Sequence, residues 1–228
     1  MRFCFPAILA LRAFAQIPAD VKISPSTLPA DAKVDPESVV TRPNSWTARG
    51  FNLSEIVAYL YKVRETRVIV PASPDGKERF DFSLAFDQPE SDAAIDQRVE
   101  EAVRARFGIA IARERLPMDI FVMTAPNGLA PAVRVLPEPS SGSISSGVTI
   151  TSNSIAVKNA TMDDVSLMLE RHLQRIVLDE TGLKGRYEFE IKSIPRGANS
   201  FVNALKQTAG LDLARTRREI EMIVVTAK

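Results

Sequence analysis

The most regular hydrophobic pattern in the chain falls in residues 79–87, where Phe80, Phe82, Leu84 and Phe86 alternate with Asp81, Ser83, Ala85 and Asp87. A period of two predicts a strand with one apolar and one polar face. Tyr187, Phe189 and Ile191 alternate with Glu188 and Glu190 in the same way. Between these stretches the period becomes helical. Leu53, Ile56, Val57 and Leu60 form one apolar stripe, and Val165, Met168, Leu169 and Leu173 form another. Ile95, Val99, Ala102, Val103 and Phe107 form a third, and Phe201, Ala204, Leu205 and Thr208 a fourth. Asn52 with Glu55, and Thr161 with Asp164, have the three-residue spacing of an N-terminal capping box. Gly108 and Gly210 follow their helices where a left-handed C-cap favours glycine. Short apolar strands are expected at 68–70 and 176–178.

The elements recur in one order. Residues 99–125, VEEAVRARFGIAIARERLPMDIFVMTA, align without a gap on 201–227, FVNALKQTAGLDLARTRREIEMIVVTA. Ala102 matches Ala204, Gly108 matches Gly210, Arg113 matches Arg215, Arg115 matches Arg217 and Thr124 matches Thr226. Shared glycines and a shared ending favour internal duplication over chance likeness of two amphipathic segments. Each copy is expected to close as helix, strand, turn, strand. Ile109 and Ile111, or Leu211 and Leu213, mark the first strand, and 120–124 or 220–226 the last. The expected fold class is α+β. It has two related lobes, each roughly β-α-β-β-α-β-β, with helices packed on one face of a mixed or antiparallel sheet. The lobes are expected at 46–136 and 147–228, joined by a polar linker at 137–146, PEPSSGSISS. Residues 16–45 read as an extended, proline-rich lead-in, with a short strand near Val21 to Ile23.

Composition changes the picture at the N-terminus. Arg2 followed by the apolar run 3–11 and by Ala13-Phe14-Ala15 reads as a signal peptide over 1–15, leaving Gln16 as the new N-terminus. The protein is therefore expected to be exported, periplasmic or secreted. No later run reaches the roughly 20 apolar residues of a membrane-spanning helix, so no transmembrane segment is expected in the mature chain. Cys4 is the single cysteine and lies inside the signal, without the leucine three residues upstream that a lipoprotein signal wants. The mature chain would then have no disulfide, no cysteine nucleophile and no zinc–cysteine site. Losing Arg2 and Arg12 takes the formal charge from +1 to −1. Neither value creates a field for nucleic acid.

The longer segments carry a resemblance. The first lobe contains TARGFNLSEIVAYLY, RFDFSL and VRARFGIAIARERLPMDIFVM. The second contains ATMDDVSLMLERHL, VLDETGLKGRYEFEI, FVNALKQTAGLDL and IEMIVV. In this order they resemble the uncharacterised soil-associated protein family abundant in Acidobacteria, an exported domain of unknown function. The most recognisable stretch is carried by Asp179, Thr181, Gly182, Leu183, Gly185 and Tyr187. The likeness runs from about Val21 to the end of the chain. The family's glycine-proline-x-tryptophan before the first aromatic strand is replaced by residues 71–78, and its opening strand is blurred around 21–25. The resemblance implies export, sometimes as the extracytoplasmic part of a sensor-type membrane peptidase. It implies no activity, catalytic residue or cofactor. The element order is also similar to short N-terminal domains of secretins and TonB-dependent transducers, an analogy that does not carry function.

Candidate chemistry is sparse. His172 is the single histidine and sits at the edge of a helical stripe, so a general base or metal ligand there needs partners. Asp163 and Asp164 stand in a first helical turn, where carboxylates suit the helix dipole. Asp179 and Glu180 precede a glycine turn and lack the spacing of a calcium loop. Gly182 and Gly185 open a strand, whereas a phosphate loop opens a helix. In RFDFSLAF, presenting the phenylalanines to RNA would bury the aspartates against the helices, at about several kcal/mol each, which excludes an RNA-binding reading. Arg113, Arg115, Arg215, Arg217 and Arg218 fall on equivalent strands. They read either as charge that protects a strand edge or as a surface for an anionic partner. No catalytic, cofactor-binding or metal-binding residue is assigned, and no enzyme is expected. The leading expectation is a non-catalytic exported interaction or sensory module whose partner is an extracytoplasmic protein or ligand. A small-molecule binding protein with an inter-lobe cleft and a carboxylate-only hydrolase are the alternatives.

Overall fold

The computed structural model describes residues 21–29, 38–71, 78–137, 147–192, 194 and 200–228. The expected signal segment 1–15 and residues 138–146 of the expected linker lie outside them. The fold is mixed α+β, with four α-helices and three mostly antiparallel sheets among the described residues. The described residues fall into two compact units, those up to 114 with 223–228 and those between 115 and 222.

In the first unit the strands are β1 (Val21–Pro25), β2 (Val39–Arg42), β3 (Ser45–Phe51), β4 (Val68–Ile69) and β5 (Phe80–Ala85). Its helices are α1 (Leu53–Tyr61) and α2 (Asp92–Phe107), and β6 (Ile109–Thr124) leaves α2 directly. An antiparallel sheet runs in the order β1-β5-β3-β2. The alternation in β5 sets its faces. Phe80, Phe82, Leu84 and Phe86 are only 3, 1, 1 and 8% exposed. They pack with Trp46, Ile56, Val57, Ile95, Val99 and Val103 in one core. Asp87 is exposed as expected, but Asp81 is half-buried. Its carboxylate accepts the Gly50 N–H at 2.8 Å. Gly50 has φ +72° and lies where the β3–β5 register slips between Ala48 and Phe51. That bulge turns one amide toward the polar face of β5.

The second unit also combines a four-stranded antiparallel sheet with two helices. Its strands are β7 (Arg134–Leu136), β8 (Gly147–Ile150), β9 (Ile155–Ala160), β10 (Val177–Asp179), β11 (Arg186–Ile191) and β12 (Asp212–Ala227). Its helices are α3 (Met162–Leu173) and α4 (Ser200–Ala209). An antiparallel sheet runs β7-β11-β9-β8. Tyr187, Phe189 and Ile191 point into a core with Ile155, Val157, Val165, Leu169 and Leu205.

Helix ends follow the local signals. Asn52 caps α1 and Thr161 caps α3, each in a full capping box with Glu55 or Asp164. Both helices finish on a non-glycine residue in the left-handed region, Lys62 and Gln174. Gly108 and Gly210 follow α2 and α4 with φ of +61° and +77°, the conformation that glycine adopts without Cβ strain.

One arginine in each unit braces the strand-to-helix corner. Arg79 donates to the Gly50 carbonyl at 2.5 Å and to the Glu55 carboxylate at 2.8 Å. Glu55 in turn accepts the Asn52 N–H. Arg186 donates at 2.6 Å to the carbonyl of Asn159, whose φ is +46°. Asn159 occupies the bulge between Val157 and Ala160 in the β9–β11 pairing.

The expected strand-turn-strand endings are not found. After α2 and after α4 the chain runs as single strands of 16 residues, β6 and β12. Their middles, 112–115 and 214–219, are polar and mostly exposed, so no buried face imposes alternation. Ladder hydrogen bonding, which leaves no trace in hydropathy, keeps them extended, since β6 and β12 are neighbours in a third sheet, β10-β6-β12-β4. In the second unit β10 runs parallel to Phe121–Met123 of β6. In the first, β4 runs parallel to Ile223–Val224 of β12. Ile223 and Val225 are therefore core residues of the first unit.

Candidate functional site

Where α3 ends in the second unit, the chain turns through Gln174 and Arg175 and enters β10. Because β10 starts at Val177, its pairing with β6 begins only at Phe121. A surface depression of about 380 Å³ opens there. Asp119 lies on its β6 side, Arg175 at the helix exit, and Arg215, Thr216 and Arg217 on the β12 side. Ile120 and Phe121 also line it, and they are only 1 and 5% exposed. The polar rim is exposed: Asp119, Arg175, Arg215 and Arg217 all face solvent.

The charges are uneven, three guanidinium groups against one carboxylate. Arg215 lies 5.4 Å from the centroid of the Phe121 ring, so a cation–π contact holds its head in place. Among the described residues Arg175, Arg215 and Arg217 make no ion pair. Arg218, next along β12, is different. It pairs with Glu180, and hydrogen bonding to that carboxylate raises its pKa. Arg113 in the first unit lies 5.4 Å from the Tyr61 ring and donates to the Tyr61 carbonyl. Arg115 is exposed on β6.

The other sequence candidates have local partners. His172 is exposed and stacks on Phe201, with centroids 4.8 Å apart. Asp164 closes the Thr161 capping box, and Ser166 donates to the Asp163 carbonyl. The Asp179 carboxylate accepts from the Thr181 N–H and hydroxyl. Gly182 and Gly185 have φ of +67° and +106° in the turn that opens β11. The Tyr187 hydroxyl donates to the Lys184 carbonyl, and burial, then the Asp179 charge, raises its pKa. In the first unit Tyr61, Glu100 and Arg104 form one hydrogen-bonded cluster. Burial first, then Glu100, raises the pKa of Tyr61. Among the described residues no group of three or more His, Cys, Asp or Glu side chains could hold a metal ion. No helix among them is long and apolar enough to cross a membrane.

Sequence reasoning singled out Arg215 and Arg217 but not Arg175 or Asp119. Arg175 carries no periodic signal. It reaches the depression only because α3 stops on a left-handed residue just before it.

No curated protein and no solved structure is significantly similar to the chain. The family described as "Protein of unknown function (DUF3738)" matches residues 54–227, from the first turn of α1 to the end of β12. The chain belongs to the DUF3738 family.

Proposed function

We propose that the protein is a non-catalytic, exported interaction module that recognises an anionic partner through the arginine-lined depression of the second unit. The lining carries this reading: Arg175, Arg215 and Arg217 against Asp119 alone. A guanidinium offers five donors and stays protonated in proteins, so it holds oxyanions well but does not shuttle protons. Hydrolysis of a glycan by carboxylates needs a facing pair of them, and Asp119 is the one carboxylate in the lining. For the test, the protein is immobilised and exposed to an extracytoplasmic fraction of its host. A specific component should be retained, and the triple variant R175A/R215A/R217A, checked for an unchanged circular dichroism spectrum, should release it. Equal retention by the variant would place recognition elsewhere and overturn the reading.

Export rests on the composition of residues 1–15. Mass spectrometry of protein from the host should find Gln16 at the N-terminus, and an intact Met1 on cytoplasmic protein would refute it. The soil-associated, acidobacterial character of the family belongs to the same proposal and rests on the sequence resemblance. Duplication is the proposed origin of the two units. It is supported by their shared element order and by the positive φ at both Gly50 and Asn159, each braced by an arginine. An experimental structure in which 45–107 and 155–209 fail to superpose would count against it.

A further inference from the structure

We infer that the depression docks an extended acidic segment of a partner protein, one with acidic side chains at alternate positions. This rests on the reading of the depression as a recognition site and names what it recognises. Arg215 and Arg217 stand two residues apart on one strand, β12. Alternate residues of a strand share a face and repeat at about 6.5–7 Å. An extended peptide has the same repeat, so two carboxylates at positions i and i+2 meet two guanidinium groups in register. Each pair can form the two parallel hydrogen bonds that a planar fork offers a carboxylate.

The surroundings favour such a guest. Arg175 adds a third positive group from the opposite side, at the exit of α3. Neither Arg217 nor Arg175 is engaged in an ion pair among the described residues, so no internal carboxylate has to be displaced. Arg215 is already held over Phe121, so less side-chain freedom is lost on binding. Asp119 repels an acidic chain at one edge, which fixes where the segment can lie. Arg218, satisfied by Glu180, contributes little.

The experiment uses the full chain and fluorescein-labelled peptides of equal charge. One carries Glu-Ala-Glu and the other Glu-Ala-Ala-Glu, in the same serine-rich flanks. Binding is followed by anisotropy. The Glu-Ala-Glu peptide should bind more tightly. R215Q/R217Q should weaken it about tenfold or more, as expected for the loss of charge-assisted pairs. R218Q should change it by less than about twofold, as expected of an exposed, already paired charge. Equal affinity for both spacings, or indifference to R215Q/R217Q, overturns the inference. Displacement by equimolar inorganic phosphate or succinate would assign the site to a free oxyanion and overturn it too. If the arginine variant loses retention from the extracytoplasmic fraction while the peptides stay inert, the peptide inference fails and the recognition reading stands. If retention ignores the arginines, both fail.

Discussion

Gly108 and Gly210 follow α2 and α4 with similar backbone angles, yet alanine should cost very different amounts at the two. At either site the substitution forces a Cβ into the left-handed region, for about 1 kcal/mol. Around Gly108 that is the whole cost, because nothing lies within 4 Å of the added atom. At Gly210 the Cβ would stand 2.6 Å from the Gly128 carbonyl oxygen and 2.8 Å from the Ala130 nitrogen. Both are backbone atoms, so no rotamer change relieves the clash. The turn at 128–130 must move, and with it the hydrogen bond from the Ala130 N–H to the Ala209 carbonyl, 3.1 Å long. Overpacking adds about 1–3 kcal/mol and the stretched hydrogen bond about 1 kcal/mol. G210A should therefore destabilise by about 3–5 kcal/mol against about 1 for G108A. Urea unfolding followed by circular dichroism gives the two values. Amide exchange at Ala130 localises the damage, and it should accelerate in G210A alone. Equal losses for the two variants, or an unchanged Ala130 amide in G210A, would refute the steric argument.

Phe82→Ala should cost about 3–5 kcal/mol, as for other large-to-alanine changes in a closed core. Trp46, the single tryptophan and 1% exposed in the same core, reports the loss by fluorescence. Arg79→Ala should cost about 3–5 kcal/mol, because it leaves the Glu55 carboxylate and the Gly50 carbonyl without their buried partner. Denaturation should show the loss shrinking if Glu55 is replaced by Gln in the same chain. Raised pKa values at Tyr187 and Tyr61 mean that the folded state favours the neutral phenols. The stability they contribute is full below the ordinary tyrosine value of about 10 and is lost as pH rises through the raised folded values. Urea midpoints should thus fall above about pH 10, and less steeply in Y187F; a midpoint flat to pH 11.5 would contradict this.

Features encoded by neighbours in the chain were legible in the sequence. The faces of β5 and β11, both capping boxes and the two glycine C-caps follow from spacing alone, because each depends on a period or on a residue three positions away. What escaped depends on partners far along the chain. The exposed position of Asp81 failed because the Gly50 bulge, 31 residues upstream, turns an amide toward it. Arg79 drew no expectation from the sequence, yet it is 8% exposed and bound to the corner before α1, 29 residues upstream. The polar middles of β6 and β12 read as turns because neither face is buried, and it is the neighbouring strand that holds them extended. Of the candidate site, Arg215 and Arg217 could be found from the alignment of 99–125 on 201–227. Arg175 could not, since its place is set by where α3 stops.

The assignment of Ile223 and Val225 to the first core also constrains the order of events during synthesis. Those residues leave the ribosome after every residue of the second unit. Until then the strand next to β4 is missing, and the core around Phe82 and Ile56 stays open on one side. Closing it joins residues more than 140 positions apart in sequence, such as Val225 and Phe82, and contacts of such separation form slowly. A nascent chain of this design keeps its first core open for as long as the second unit is being made, so the two units cannot fold strictly one after the other.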